Sequence, residues 1–117
     1  MIYSVKYTDN GMSENVGGYI RAWFIFIHPK YKDDIGLLEH EKTHVSQFWG
    51  SWCLHSMLYK FWRAYRQRSE IEAYREQLRW SPESDNPDYY RPILAERLAV
   101  GYNLNITIDE AIKLLSW

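Results

Sequence analysis

Along the 117 residues of this chain the apolar positions change period, from alternation near the N-terminus to spacings of three and four further on. Ile2 to Tyr7 alternates loosely in strand-forming residues, and Asp9-Asn10-Gly11 behind it is a turn signal. After a further loop around Glu14 to Gly18, Tyr19 to Ile27 is apolar on both faces apart from Arg21, the pattern of a strand covered on both sides. His28-Pro29 ends that strand, and Asp33 or Asp34 in the charged loop after it can cap a helix.

From Ile35 to Trp49 the spacing predicts that helix, with Gly50 as its break or C-cap. Leu37, His40, Glu41, His44, Val45 and Phe48 fall on one stripe, while Glu39, Lys42 and Ser46 fall opposite. Ser51 to Trp62 predicts a second helix, rich in Trp52, Leu54, Met57, Leu58, Phe61 and Trp62, whose apolar side chains are expected to pack into the core. A membrane-surface role suits it less, since its polar face lacks the basic residues that anionic lipid would attract. Basic residues from Arg63 to Arg68 lead into a helix over Ser69 to Trp80, stopped by Ser81-Pro82, and Ser81 to Pro87 reads as a loop. A further helix is expected from Asp88 or Tyr89 to about Tyr102, with Pro92 near its first turn. Thr107 and Glu110 form a capping box for a last helix, Ile108 to Leu115, onto whose Ala111 Ile106 can staple. The fold class is therefore α+β, mainly helical with a small N-terminal β-sheet, in one domain spanning 1–117.

Composition narrows the function classes. A net charge of −1 asks for no nucleic acid or acidic membrane as partner. The arginines between Arg63 and Arg79 are interleaved with Trp62, Tyr65 and Tyr74, but Glu70, Glu72 and Glu76 run through the same segment and predict a self-paired face. The single cysteine, Cys53, excludes an internal disulfide framework, leaving a bound metal as one source of added stability. The longest apolar run, Ala22 to Ile27, is too short to span a bilayer, and the start Met-Ile-Tyr-Ser-Val-Lys lacks the features of a secretory signal. The expected compartment is the cytoplasm.

The chemistry concentrates in His40-Glu41-Lys42-Thr43-His44, an instance of H-E-x-x-H. Histidines four apart on a helix lie one turn apart on one face, so both rings can close on one metal ion, and zinc suits that geometry. Glu41, about 100° round the helix from His40, lies near the ion without being forced to bind it and can take a proton from water. A catalytic zinc usually holds three protein ligands, for which His28, His55, Glu70, Glu72 and the acidic loop residues are candidates. His55 lies well past the short Gly-containing spacing of three-histidine zincins. Glu70 shares its stripe with Ala73, Tyr74, Gln77 and Leu78, an interior face, whereas Glu72 lines up with Arg75, Glu76 and Arg79. Glu70 is the better ligand, because a carboxylate turned inward needs a cation; Arg66 or Arg63, one turn earlier, is the competing partner.

HEKTH on one helix, with Glu70-Ile71-Glu72-Ala73-Tyr74 on a later one, resembles the gluzincin metallopeptidases, and the short chain resembles their minimal single-domain form, including small zincin-like proteins encoded by bacteriophages. The resemblance covers roughly residues 19 to 80. It implies His40, His44 and Glu70 as zinc ligands and Glu41 as general base for a zinc-activated water that hydrolyses peptide bonds. It also implies that the strand before the motif helix lines the cleft and pairs with an extended peptide or protein substrate. Tyr74 stands where many gluzincins carry the Asp that supports a ligand histidine, while Gln47 shares the face of His40 and His44 and is a candidate for that support. Tyr65, Tyr74, His55 and Arg66 are all open as oxyanion donors. The alternative expectation is a catalytically inactive zincin-fold protein, of the kind a phage would use as a structural or binding component; the oligomeric state is left open.

Overall fold

The computed structural model describes residues 1–9, 17–80 and 87–116. The turn read at Asn10-Gly11, the loop near Glu14 and the Ser81-Pro82 stop with its loop therefore lie outside the described residues. The architecture is α+β, mainly helical, with a small sheet at the N-terminal end.

Strands β1 (Ser4–Tyr7), β2 (Gly18–Arg21) and β3 (Phe24–Ile27) form a sheet of order β1-β3-β2. β3 is central, parallel to β1 and antiparallel to β2. The single strand expected over Tyr19 to Ile27 is thus a hairpin, with Arg21 opposite Phe24 and Ala22 at φ 53° in its turn. Continuous apolarity concealed the turn, because neither Ala22 nor Trp23 is a turn-forming residue and the positive φ is imposed by closure of the hairpin. Only β3 carries fully buried residues, Ile25 and Ile27, which pack with Val45.

A short 3₁₀ turn, Pro29–Tyr31, leads to α1 (Ile35–Gly50), whose N-terminus is capped by Asp34 accepting from the Leu37 amide at 2.9 Å. Helices α2 (His55–Phe61), α3 (Arg63–Arg79), α4 (Pro87–Gly101) and α5 (Ile108–Leu114) follow. Helix α1 runs one residue past Trp49, and the left-handed residues of the next turn are Trp52 (φ 56°) and Cys53 (φ 66°), not Gly50. Helix α3 begins six residues before the expected Ser69 because the Arg63 to Arg68 stretch is made of good helix formers and continues the same helix. The Arg66 guanidinium seals the joint ahead of α3 by donating to the carbonyls of Tyr59, Lys60, Tyr102 and Asn103.

The expected core role of the Ser51 to Trp62 stretch fails. Its regular helix covers only His55–Phe61, and Trp52 (89% exposed), Phe61 (76%), Trp62, Met57 and Leu54 face outward. The one buried residue of α2 is His55. Periodicity located an apolar stripe but could not tell which way it turned.

Helix α1 lies along α3. Gly36 permits that closeness, since a β-carbon there would stand 3.0 Å from the Gln77 carbonyl oxygen on α3. A second core, built from Tyr74, Leu78, Leu94, Ala95, Leu98, Leu104, Ala111 and Leu115, ties α3 to α4 and α5. Buried apolar groups on both sides thus hold the facing surfaces of α1 and α3, which carry polar residues.

Candidate metal centre

The inward stripe of α1 buries His40, Glu41 and His44 beside Val45 and Phe48, and the inward stripe of α3 buries Ser69, Glu70, Ala73 and Tyr74. Where the stripes meet, the Nε2 atoms of His40 and His44 lie 3.3 and 3.2 Å from Glu70 Oε1. One ligand atom from each of these three residues falls within 4.8 Å of the others, and together they can hold a metal ion. Arg66, the competing partner for Glu70, is committed to backbone carbonyls, and the exposed Glu72 approaches Arg68 at 3.9 Å. His28 lies elsewhere, with its Nδ1 accepting from the Lys30 amide.

The hydrogen bonds round His44 test whether these donors fit a cation. Gln47 donates through Nε2 to the Ser69 carbonyl (3.1 Å) and to Glu72 (3.3 Å), while its Oε1 accepts from the Ser69 hydroxyl (2.5 Å). That leaves Gln47 Oε1 at 2.9 Å and the Ser69 hydroxyl oxygen at 3.1 Å as acceptors facing His44 Nδ1, so Nδ1 carries the hydrogen and the Nε2 lone pair points at the Glu70 oxygen. Two acceptors 3.2 Å apart in a buried site repel unless a proton or a metal ion lies between them. The donor set therefore fits a cation.

Without a metal, the site uses a proton. Burial works against a charged His44, but the Glu70 carboxylate overrides it and raises the imidazole to about 9. Burial likewise disfavours the Glu70 anion, and His44 and His40 override that, holding the carboxyl far below the usual carboxylate range. Glu41 has no such partner, and burial pushes its carboxyl upward, with His40 and His44 only moderating the rise.

The two histidines are supported unequally. His40 Nδ1 is buried with no hydrogen-bond partner. Tyr74 meets the His40 ring edge-on at 4.5 Å but shares its hydroxyl with Tyr102 at 2.6 Å. Tyr74 thus supplies packing where a carboxylate would supply a hydrogen bond.

A cleft of ≈ 320 Å³ opens over this group, lined by His40, Glu41, His44 and Glu70, by Gly18, Tyr19 and Ile20 of β2, by His55, Ser56 and Tyr59 of α2, and by Tyr102. Grooves of ≈ 440 and ≈ 400 Å³ elsewhere on the surface contain neither His40 nor Glu41. Gly18 lies against the motif glutamate; a β-carbon there would stand 3.4 Å from Glu41 Cγ and 3.5 Å from its Oε1. Tyr59 donates to Glu70 Oε2 at 2.5 Å, so both carboxylate oxygens are engaged. His55 Nδ1 pairs with the Tyr65 hydroxyl at 2.8 Å, leaving Nε2 as the ring nitrogen available to a molecule in the cleft. Burial and the charge on His44 keep His55 neutral, lowered to about 4.

Of the oxyanion candidates, His55 lines the cleft, whereas Arg66 holds carbonyls and Tyr65 and Tyr74 hold other side chains. Sequence reasoning passed over Tyr59 and Ser69. Tyr59 carried a usable signal, since it lies four residues after His55 and so on the same face of α2. Ser69 adjoins Glu70 in sequence and carried none. Comparison with protein-family models, curated proteins and solved structures found no match.

Proposed function

We propose that this protein is a zinc-dependent metallopeptidase of gluzincin type, with His40, His44 and Glu70 as ligands and Glu41 as general base. The observation that carries the reading is the meeting of both histidine Nε2 atoms on one Glu70 oxygen, in a cleft that also contains Glu41. Bound zinc supplies a Lewis acid that polarises a carbonyl and acidifies water, and buried nitrogen and oxygen donors suit it.

The protein's own groups account for the rest. Glu41, raised by burial, takes a proton from the attacking water and passes it to the nitrogen of the breaking C–N bond, so amide and water become acid and amine. With the Tyr65 hydroxyl donating to its Nδ1, neutral His55 carries its hydrogen on Nε2 and donates it to the tetrahedral oxyanion. The substrate would lie along β2, an edge strand. Its register, with the His28 amide donating to the Gly17 carbonyl at 2.8 Å, makes Tyr19 a hydrogen-bonded partner of β3 and turns the peptide groups of Gly18 and Ile20 outward. An extended peptide can pair with those groups, a mode that tolerates varied sequences.

Elemental analysis of the purified protein, followed by cleavage of a broad peptide library, tests the reading. Glu41→Gln is expected to keep zinc and lose at least about 10²-fold in hydrolysis. Zinc with no cleavage by the native chain would favour a structural zincin-like scaffold, and cleavage undiminished in Glu41→Gln would remove the mechanism.

A further inference from the structure

The outer face of α2 takes no part in the cleft. Helical spacing that turns His55 and Tyr59 inward sets Leu54, Met57 and Phe61 on the opposite side, and all three are exposed. Trp52 precedes this stripe and Trp62 follows it, both also exposed. Trp52 and Cys53 are consecutive non-glycine residues in the left-handed region, an unfavourable backbone that holds the Trp52 indole out in water. A strained turn presenting an indole, next to an amphipathic helix with its apolar side outward, calls for a partner.

The charges specify what kind. From Ser51 to Ser69 there is no Asp or Glu, in a chain whose net charge is −1, while Lys60, Arg63, Arg66 and Arg68 all fall there. Arg66 is occupied inside the fold and Arg68 pairs with Glu72, but Lys60 and Arg63 are exposed at the C-terminal end of the apolar stripe. The sequence of α2 alone concealed this basic edge, because Arg63 belongs to α3.

We propose that this face docks on a phospholipid bilayer rich in anionic headgroups, with Trp52, Phe61 and Trp62 at headgroup depth and Lys60 and Arg63 against lipid phosphates. A second copy of the chain fits poorly, because a twofold contact would set the same cations against one another. Single-stranded nucleic acid fits less well than lipid, because Leu54 and Met57 give bases no planar surface to stack on. The inference does not depend on the hydrolase reading.

Co-sedimentation with phosphatidylcholine vesicles, and with vesicles of equal phosphatidylcholine and phosphatidylglycerol, tests it. Binding to the mixed vesicles is expected to be at least about tenfold tighter and to weaken with salt. The double variant Trp52→Ser, Phe61→Ser should lose about tenfold or more, and Lys60→Gln with Arg63→Gln about 30-fold, each with an unchanged circular dichroism spectrum. If those variants do not fold, the contrast between vesicles decides with the native chain. Absence of binding to the mixed vesicles would overturn the proposal. So would a concentration-dependent dimer dissolved by Phe61→Ser, or an oligonucleotide bound in preference to the vesicles.

Discussion

His44 Nε2 lies 3.2 Å from Glu70 Oε1, although the two residues stand 26 positions apart on different helices. With His44 Nδ1 committed to Gln47, this contact holds only with a positive charge in it, supplied by a proton or by a metal ion. The site's behaviour follows from that requirement.

Glu70→Ala should abolish stoichiometric zinc binding and lower the thermal midpoint of protein prepared with zinc, because metal affinity is folding free energy. In metal-free protein the same change removes the counter-charge of a buried imidazolium, at a cost of about 3 kcal/mol. Elemental analysis and calorimetry of both forms check this. Unchanged zinc content would assign the third ligand elsewhere.

Ser69→Ala and Gln47→Ala should each weaken zinc binding by about 10–100-fold, since Gln47 fixes the His44 tautomer and Ser69 aligns Gln47. Tyr74→Phe is the contrasting case. Its hydroxyl serves Tyr102 and not His40, so competition with a chelator should show near-native affinity.

The metal-free protein should lose stability as pH rises above 6.5. His44, raised from 6.5 to about 9, contributes stability that is fully present below 6.5 and lost as pH rises through 9. His55, lowered from 6.5 to about 4, costs stability as pH falls from 6.5 towards 4, whereas Glu41, raised by burial, gains it over the same range, so the acid side should be flatter than the alkaline one. Zinc reverses the alkaline limb, because ligation needs deprotonated imidazoles, so zinc affinity should climb between pH 6 and about 9. Thermal scans with chelator and with zinc across this range check both limbs; a flat chelator profile above pH 6.5 would contradict the charged His44.

Gly36→Ala should destabilise the chain by about 1–3 kcal/mol and also weaken zinc binding. The added methyl would meet backbone at the Gln77 carbonyl, 3.0 Å away, and α1 must move from α3 to relieve it. The ligands ride on those two helices. Urea unfolding and a zinc titration measure the two effects, whereas Gly50→Ala, with no atom within 4 Å of its added carbon, should leave both nearly unchanged.

What the sequence determined by itself is what lies within a few turns of one helix. Spacing put His40, Glu41 and His44 on one buried stripe of α1, an interior stripe marked Glu70, and Asp34 and Thr107 cap their helices as side chains of that type do. Only the tertiary structure decided that α1 and α3 bring those stripes together, that the Tyr19 to Ile27 run folds back as a hairpin with β2 at the edge, and that α2 turns His55 and Tyr59 inward and its apolar stripe to solvent. The physical reason is that local patterning sets which residues share a face, whereas the direction of that face depends on contacts between residues far apart in the chain.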